Sequence, residues 1–149
     1  MKDNNKYILN FLIIFSILYV FFHLLETYLA LFLGHIISLL DYAVIKNTIV
    51  IGQDLYIIAP SCTASLEMSL FLSYILSTPK TSMKLKIWYG VFGLTVITTA
   101  NIIRIVLIIN NATEVDYWAI HDIISFILFP VALLLNWGWA ILLKSKKII

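Results

Sequence analysis

The sequence predicts an all-α integral membrane protein with about four transmembrane helices and a short extracytoplasmic β-hairpin before the second helix. Three observations predict it. Of 149 residues, 62% are hydrophobic and 12% charged, and the mean hydropathy is +0.99. An ordinary soluble domain carries roughly 45–50% apolar and about 25% charged residues. Four stretches approach the about 20 mostly apolar residues that a spanning helix needs, and the lysines fall between and beyond them in one pattern. This composition excludes a soluble globule, a disordered chain and an electrostatically driven nucleic-acid binder. The single cysteine excludes an internal disulfide and a cysteine-rich metal site. No metal-ligand spacing and no Gly-rich phosphate loop occurs, so neither a metal nor a cofactor is expected.

The first span is predicted over about 7–33, interrupted by His23 and Glu26. It is too long for a cleaved signal and has no small-residue cleavage site behind it, so it is read as retained. Next, Gly34 to Lys46 is read as a short interfacial helix. Residues 48–58 are β-branched and aromatic around Gly52-Gln53-Asp54 and predict a β-hairpin. The second span follows Pro60 and covers about 60–78. The third covers 87–110 and the fourth 120–143. No repeat or linker divides the chain, and one domain over 1–149 is expected.

Lysines orient the spans. Lys2 and Lys6 precede the first, Lys80, Lys84 and Lys86 lie between the second and third, and Lys144, Lys146 and Lys147 follow the fourth. Four spans place all eight on one side, the cytoplasm, and leave only Lys46 opposite, with Asp41, Asp54, Glu114, Asp116 and Asp122. Both termini are therefore expected on the cytoplasmic side of the cell membrane, with the site on the extracytoplasmic side.

Charge inside a span marks function by default, because each group costs roughly 2.5–3.5 kcal/mol even on the mildest scale. Arg104, the sole arginine, lies within the third span, about 9 Å from its outer end at 1.5 Å per residue. It reads as functional, with a snorkelling or packing arginine as the alternative. Asn101 lies one turn earlier on the same face. Cys62 follows Pro60-Ser61 at the opening of the second span. Ser61 is the expected N-cap there, and the helix start favours a thiolate nucleophile. His121 opens the fourth span, followed by Asp122. Cysteine, arginine and histidine thus meet at the outer leaflet, a workable acyl-transfer set of nucleophile, oxyanion partner and proton carrier.

Other polar residues read more blandly. Ser65, Ser69, Ser73 and Ser77 form a stripe suited to close helix packing. Glu67 lies on another face from Cys62, and pairing with Arg104 or hydrating a cavity are both open to it. His23 and Glu26 predict a helix-to-helix polar contact, and His35 an interfacial residue. Asn111-Ala-Thr113 matches a short glycosylation acceptor pattern.

Cys62, Asn101-Ile-Ile-Arg104 and His121-Asp122, in that order and spacing, resemble the exosortase/archaeosortase family of membrane cysteine transpeptidases. The β-branched stretch before the cysteine also looks like the family's. The resemblance covers about Ile49 to Pro130. The family usually has Cys-Ser-Gly where this chain has Cys62-Thr63-Ala64, a difference that bears on the local turn. Four spans match the catalytic core of relatives that have about eight. The resemblance implies a thiol protease that cleaves secreted proteins carrying a C-terminal motif, a transmembrane segment and a basic end. It implies an acyl-enzyme on Cys62, with Arg104 and His121 assisting, released to a lipid-linked or other acceptor nucleophile. The partners it implies are that substrate, the acceptor and membrane lipids, with no nucleic acid. Two other readings are a small transporter using Glu26, Glu67 and Arg104, and a non-catalytic membrane subunit packing through the serine stripe and Gly90-x-x-Gly93.

Overall fold

A computed structural model describes residues 2–58, 63–111 and 128–145. Among them are four helices, α1 (Lys2–Ser38), α2 (Ser65–Leu76), α3 (Met83–Asn111) and α4 (Leu128–Ser145), and three strands, β1 (Ala43–Ile45), β2 (Thr48–Ile51) and β3 (Asp54–Ile57). Apolar residues on nearly every face carry α1 through 37 residues, about 55 Å at 1.5 Å per residue. Two helical stretches, Asn4–Ser38 and Met83–Asn110, are long and apolar enough to cross a membrane. Helix α2 has 12 residues, about 18 Å of rise and less than the span read from the sequence. The first part of the fourth expected span, residues 120–127, lies outside the described residues.

The segment expected to form an interfacial helix does something else. Helix α1 runs on to Ser38, and Ala43–Ile45 becomes a strand. Its alternation is short enough to be hidden in an apolar run, and its partner decides it. β1 pairs antiparallel with β2, from Ala43↔Val50 to Ile45↔Thr48. β2 pairs antiparallel with β3, from Thr48↔Ile57 to Ile51↔Asp54. Gly52, at φ 61°, makes the β2–β3 turn, where a side chain would be strained.

Two apolar clusters hold these elements. In the first, Met68, Phe71 and Ile75 of α2 pack with Ile97 of α3 and Leu135, Trp139 and Leu143 of α4. Trp139 is fully buried, and its indole N–H donates to Thr78 Oγ1 at 3.0 Å. Tyr89 stacks obliquely on Trp139, centroids 5.0 Å apart, and donates its hydroxyl to the Leu135 carbonyl at 2.6 Å. In the second cluster the sheet lays Ile49 on Ala30, Leu33 and Ile37 of α1 and on Ile105 and Ile109 of α3. The C-terminal ends of α1 and α3 therefore lie together beneath the sheet, tied by Tyr42 Oη donating to Asn110 Oδ1 at 3.0 Å.

The serine stripe of α2 is buried. Ser69 and Ser73 each donate back to the carbonyl four residues earlier, which satisfies their hydroxyls within the helix. Gly93 receives the Phe71 ring and Gly90 faces Leu72. The small residues that would have served an outside partner are thus used inside the chain.

Candidate functional site

Helix α3 supplies the polar pair. Asn101 and Arg104, three residues apart and so on one face, are 1% and 6% exposed. Both are engaged in interactions inside the protein. Burial of this degree removes the snorkelling alternative for Arg104, because its guanidinium stays inside the chain. A guanidinium taken from water is tolerated only where neighbouring groups hold it. The next residue, Ile105, and Ile109 belong to the apolar cluster under the sheet, so Arg104 lies on the stretch of α3 that reaches that cluster.

Asn101 lines a cavity of about 30 Å³ together with Thr98, Leu33 of α1, Met68 of α2 and Thr63. The volume is on the scale of a single water. Thr63 is the residue after Cys62, so the cavity joins Asn101 of α3 to the segment that follows the cysteine. Sequence reasoning missed Thr63. Its only signal was a small polar side chain beside a lone thiol.

The local backbone bears on the turn at which this chain departs from Cys-Ser-Gly. Ala64 sits at φ 60° and ψ 26°, left-handed, at the N-cap position of α2 and without a side-chain capping bond. This corrects the assignment of the cap to Ser61, since the helix starts at Ser65, three residues beyond Cys62. Left-handed backbone favours glycine and costs an alanine roughly 1–2 kcal/mol. The family's usual glycine falls at this position, so the chain keeps a glycine-type turn with Ala64 buried against Met68 and Phe71. Cys62, Ser61, His121 and Asp122 themselves lie outside the described residues.

Glu67 belongs to a different place. It lines a cavity of about 380 Å³ between α1 and α2 with Tyr19, His23, Glu26 and Ser65. Glu26 Oε2 lies 3.2 Å from His23 Nδ1 within α1, and Glu26 Oε1 accepts from Ser65 Oγ at 2.8 Å across to α2. The expected helix-to-helix contact is therefore made by Glu26 with Ser65. Glu67 makes no ion pair with Arg104, and Arg104 is not among the residues lining this cavity, so Glu26, Glu67 and Arg104 do not line one path.

The described residues thus make a mostly helical protein with two helices long and apolar enough to cross a membrane, a small sheet packed on their ends and a buried Asn-x-x-Arg pair on α3. The chain is 50% identical, over 149 residues that cover 99% of it and 97% of the relative, to "Probable archaeosortase D" of Methanocaldococcus jannaschii. It belongs to the archaeosortase/exosortase family. No family model matches the chain, and no solved structure matches it.

Proposed function

We propose that the chain is a single-domain cysteine transpeptidase of the cell membrane that cleaves C-terminal sorting signals of secreted proteins at the extracytoplasmic face. The observation that carries the reading is the shared cavity of Thr63 and Asn101. Cys62 precedes Thr63 by one residue, and Arg104 follows Asn101 by one helical turn. Identity to a relative named as an archaeosortase supports the same chemistry. Lys84 and Lys86 at the start of α3 and Lys144 at the end of α4 lie at the end of the bundle away from the sheet. Positive charge on the cytoplasmic side then turns the sheet outward and keeps both termini inside.

In the proposed reaction, the Cys62 thiolate attacks the scissile carbonyl. Arg104 stabilises the oxyanion, held in place beside Asn101. The C–N bond breaks as the His121 imidazolium gives its proton to the leaving amine, and a thioester on Cys62 remains. Asp122 and Ser61 support these two groups. A lipid-linked or other acceptor nucleophile then passes its proton to His121 and attacks the thioester, and the thiolate leaves. Replacing Cys62 by Ala abolishes processing of a tail-bearing substrate while the protein stays inserted. Processing that survives this substitution refutes the assignment.

A further inference from the structure

A strand at the edge of a sheet turns every second residue's backbone groups away from its neighbour. Register says which residues do so in β3, the edge of the β1-β2-β3 sheet. Gly52-Gln53 is a two-residue connection, so Ile51 and Asp54, which flank it, exchange hydrogen bonds and the pairs alternate from there. The Ile58 N–H donates to the Asn47 carbonyl at 2.8 Å, four residues along β3, which confirms the phase. Asp54, Tyr56 and Ile58 thus face β2, while Leu55 and Ile57 aim their N–H and C=O groups outward. Both side chains are exposed, at 66% and 69%. On the same face the register places Ile45 of β1, also exposed, beyond Thr48.

We propose that the outer edge of β3 binds an extended peptide by strand addition, with Leu55 and Ile57 supplying the main-chain hydrogen bonds, and that this peptide is the substrate stretch entering the Cys62 site. The second half rests on the reading of Cys62 as the nucleophile. The chemistry of the edge selects the occupant. Two N–H and two C=O groups at strand spacing, once taken from water, are satisfied together only by another extended backbone. Acyl chains offer them nothing, and each unsatisfied group in hydrocarbon is unfavourable by several kcal/mol. A strand of four residues is far too small to hold a second copy stably, since specific interfaces bury at least roughly 1,200 Å². A short edge suits a substrate that must leave. Cys62 lies five positions after Ile57, at most about 17 Å of extended chain, so a peptide on β3 is held within that reach of the thiol. Apolar side chains at alternate peptide positions would rest on Leu55 and Ile57.

The test uses the full chain in nanodiscs, with Cys62→Ala so that bound peptide is not turned over. A benzophenone amino acid is placed at Leu55, at Ile57 or, as a control, at exposed Val91 on α3. The probes are synthetic C-terminal tails, each with its apolar segment and basic end, of secreted proteins encoded in the same genome. Labelling of a tail from Leu55 and Ile57 but not from Val91 is expected. Single N-methylation along that tail should weaken labelling roughly tenfold at every second residue and leave the residues between unaffected. Labelling of lipid or of a second copy alone, no labelling, or an N-methyl profile without a period of two overturns the proposal. Processing by the chain with Cys62 intact is followed in parallel. A tail that is labelled but not cleaved refutes the Cys62 reading and leaves strand addition standing, whereas Cys62-dependent cleavage without labelling refutes strand addition alone.

Discussion

Gly90 and Gly93 lie one helical turn apart on α3, and substituting each by alanine should move stability in opposite directions. A Cβ on Gly93 would sit 1.9 Å from Phe71 Cζ and 2.2 Å from its Cε1. Carbon contacts are favourable near 3.5 Å, so the ring must retreat by about 1.6 Å. Phe71 is fully buried, with the Tyr89 ring 5.9 Å away, and has little room for that retreat. Overpacking of this kind costs about 1–3 kcal/mol, against a gain of about 1 kcal/mol from replacing glycine within a helix. Gly93→Ala is therefore expected to destabilise the chain by up to about 2 kcal/mol. At Gly90 the nearest atom to a new Cβ is Leu72 Cδ2 at 3.4 Å, which is ordinary contact, so Gly90→Ala keeps the propensity gain.

Thermal unfolding followed by circular dichroism in one detergent reads both. At about 2–4 °C per kcal/mol for a chain of this size, Gly93→Ala should lower the midpoint by up to roughly 8 °C and Gly90→Ala should raise it slightly. Phe71→Leu in the Gly93→Ala background should show a coupling of about 0.5–3 kcal/mol, because the smaller side chain relieves the clash. Equal shifts at the two glycines, or no coupling with Phe71, would refute the packing of α2 on α3.

Three further outcomes follow from the geometry. Ser65→Ala removes the donor to Glu26 and should destabilise by about 1–2 kcal/mol; in a double-mutant cycle with Glu26→Gln that loss should largely vanish. Ala64→Gly should retain processing, while Ala64→Val, β-branched at a left-handed position, should lower both the unfolding midpoint and processing of a tail substrate. Arg104→Ala should reduce kcat for processing by roughly 10²–10³-fold if the guanidinium meets the oxyanion, with Arg104→Lys recovering only part, as read by single-turnover thioester formation. A loss confined to KM would assign Arg104 to substrate binding instead.

What the sequence disclosed, and what it concealed, divides along a physical line. Long apolar runs sufficed for α1 and α3, because nearly every position in them carries the same signal. The pair Asn101 and Arg104 was legible for the converse reason, since charge and amide groups are scarce in such runs. Strand β1 was not legible. Its three residues continue an apolar stretch, and the turn after it is made by Lys46 at φ 58° with Asn47. Lysine in that conformation gives no local cue, whereas an Asn-Gly pair would have given one. Only pairing with β2, which is tertiary, turns Ala43–Ile45 into a strand.

Ala64 carries the same lesson to the site. Next to Thr63, the resemblance leads one to expect glycine, and alanine there reads as a changed turn. The backbone is nevertheless left-handed, because the burial of Ala64 with Met68 and Phe71 opposes a local preference of roughly 1–2 kcal/mol. One methyl group buried at about 25 cal/mol per Å² offsets part of that strain and no more. The remainder must come from α2 being held as a unit, by Phe71 on Gly93, Ser65 on Glu26 and Thr78 under Trp139. The turn that follows the proposed nucleophile is thus held by contacts up to about four helical turns away. Loosening α2 anywhere along its length should therefore reach the Thr63 and Asn101 cavity before it unfolds the chain.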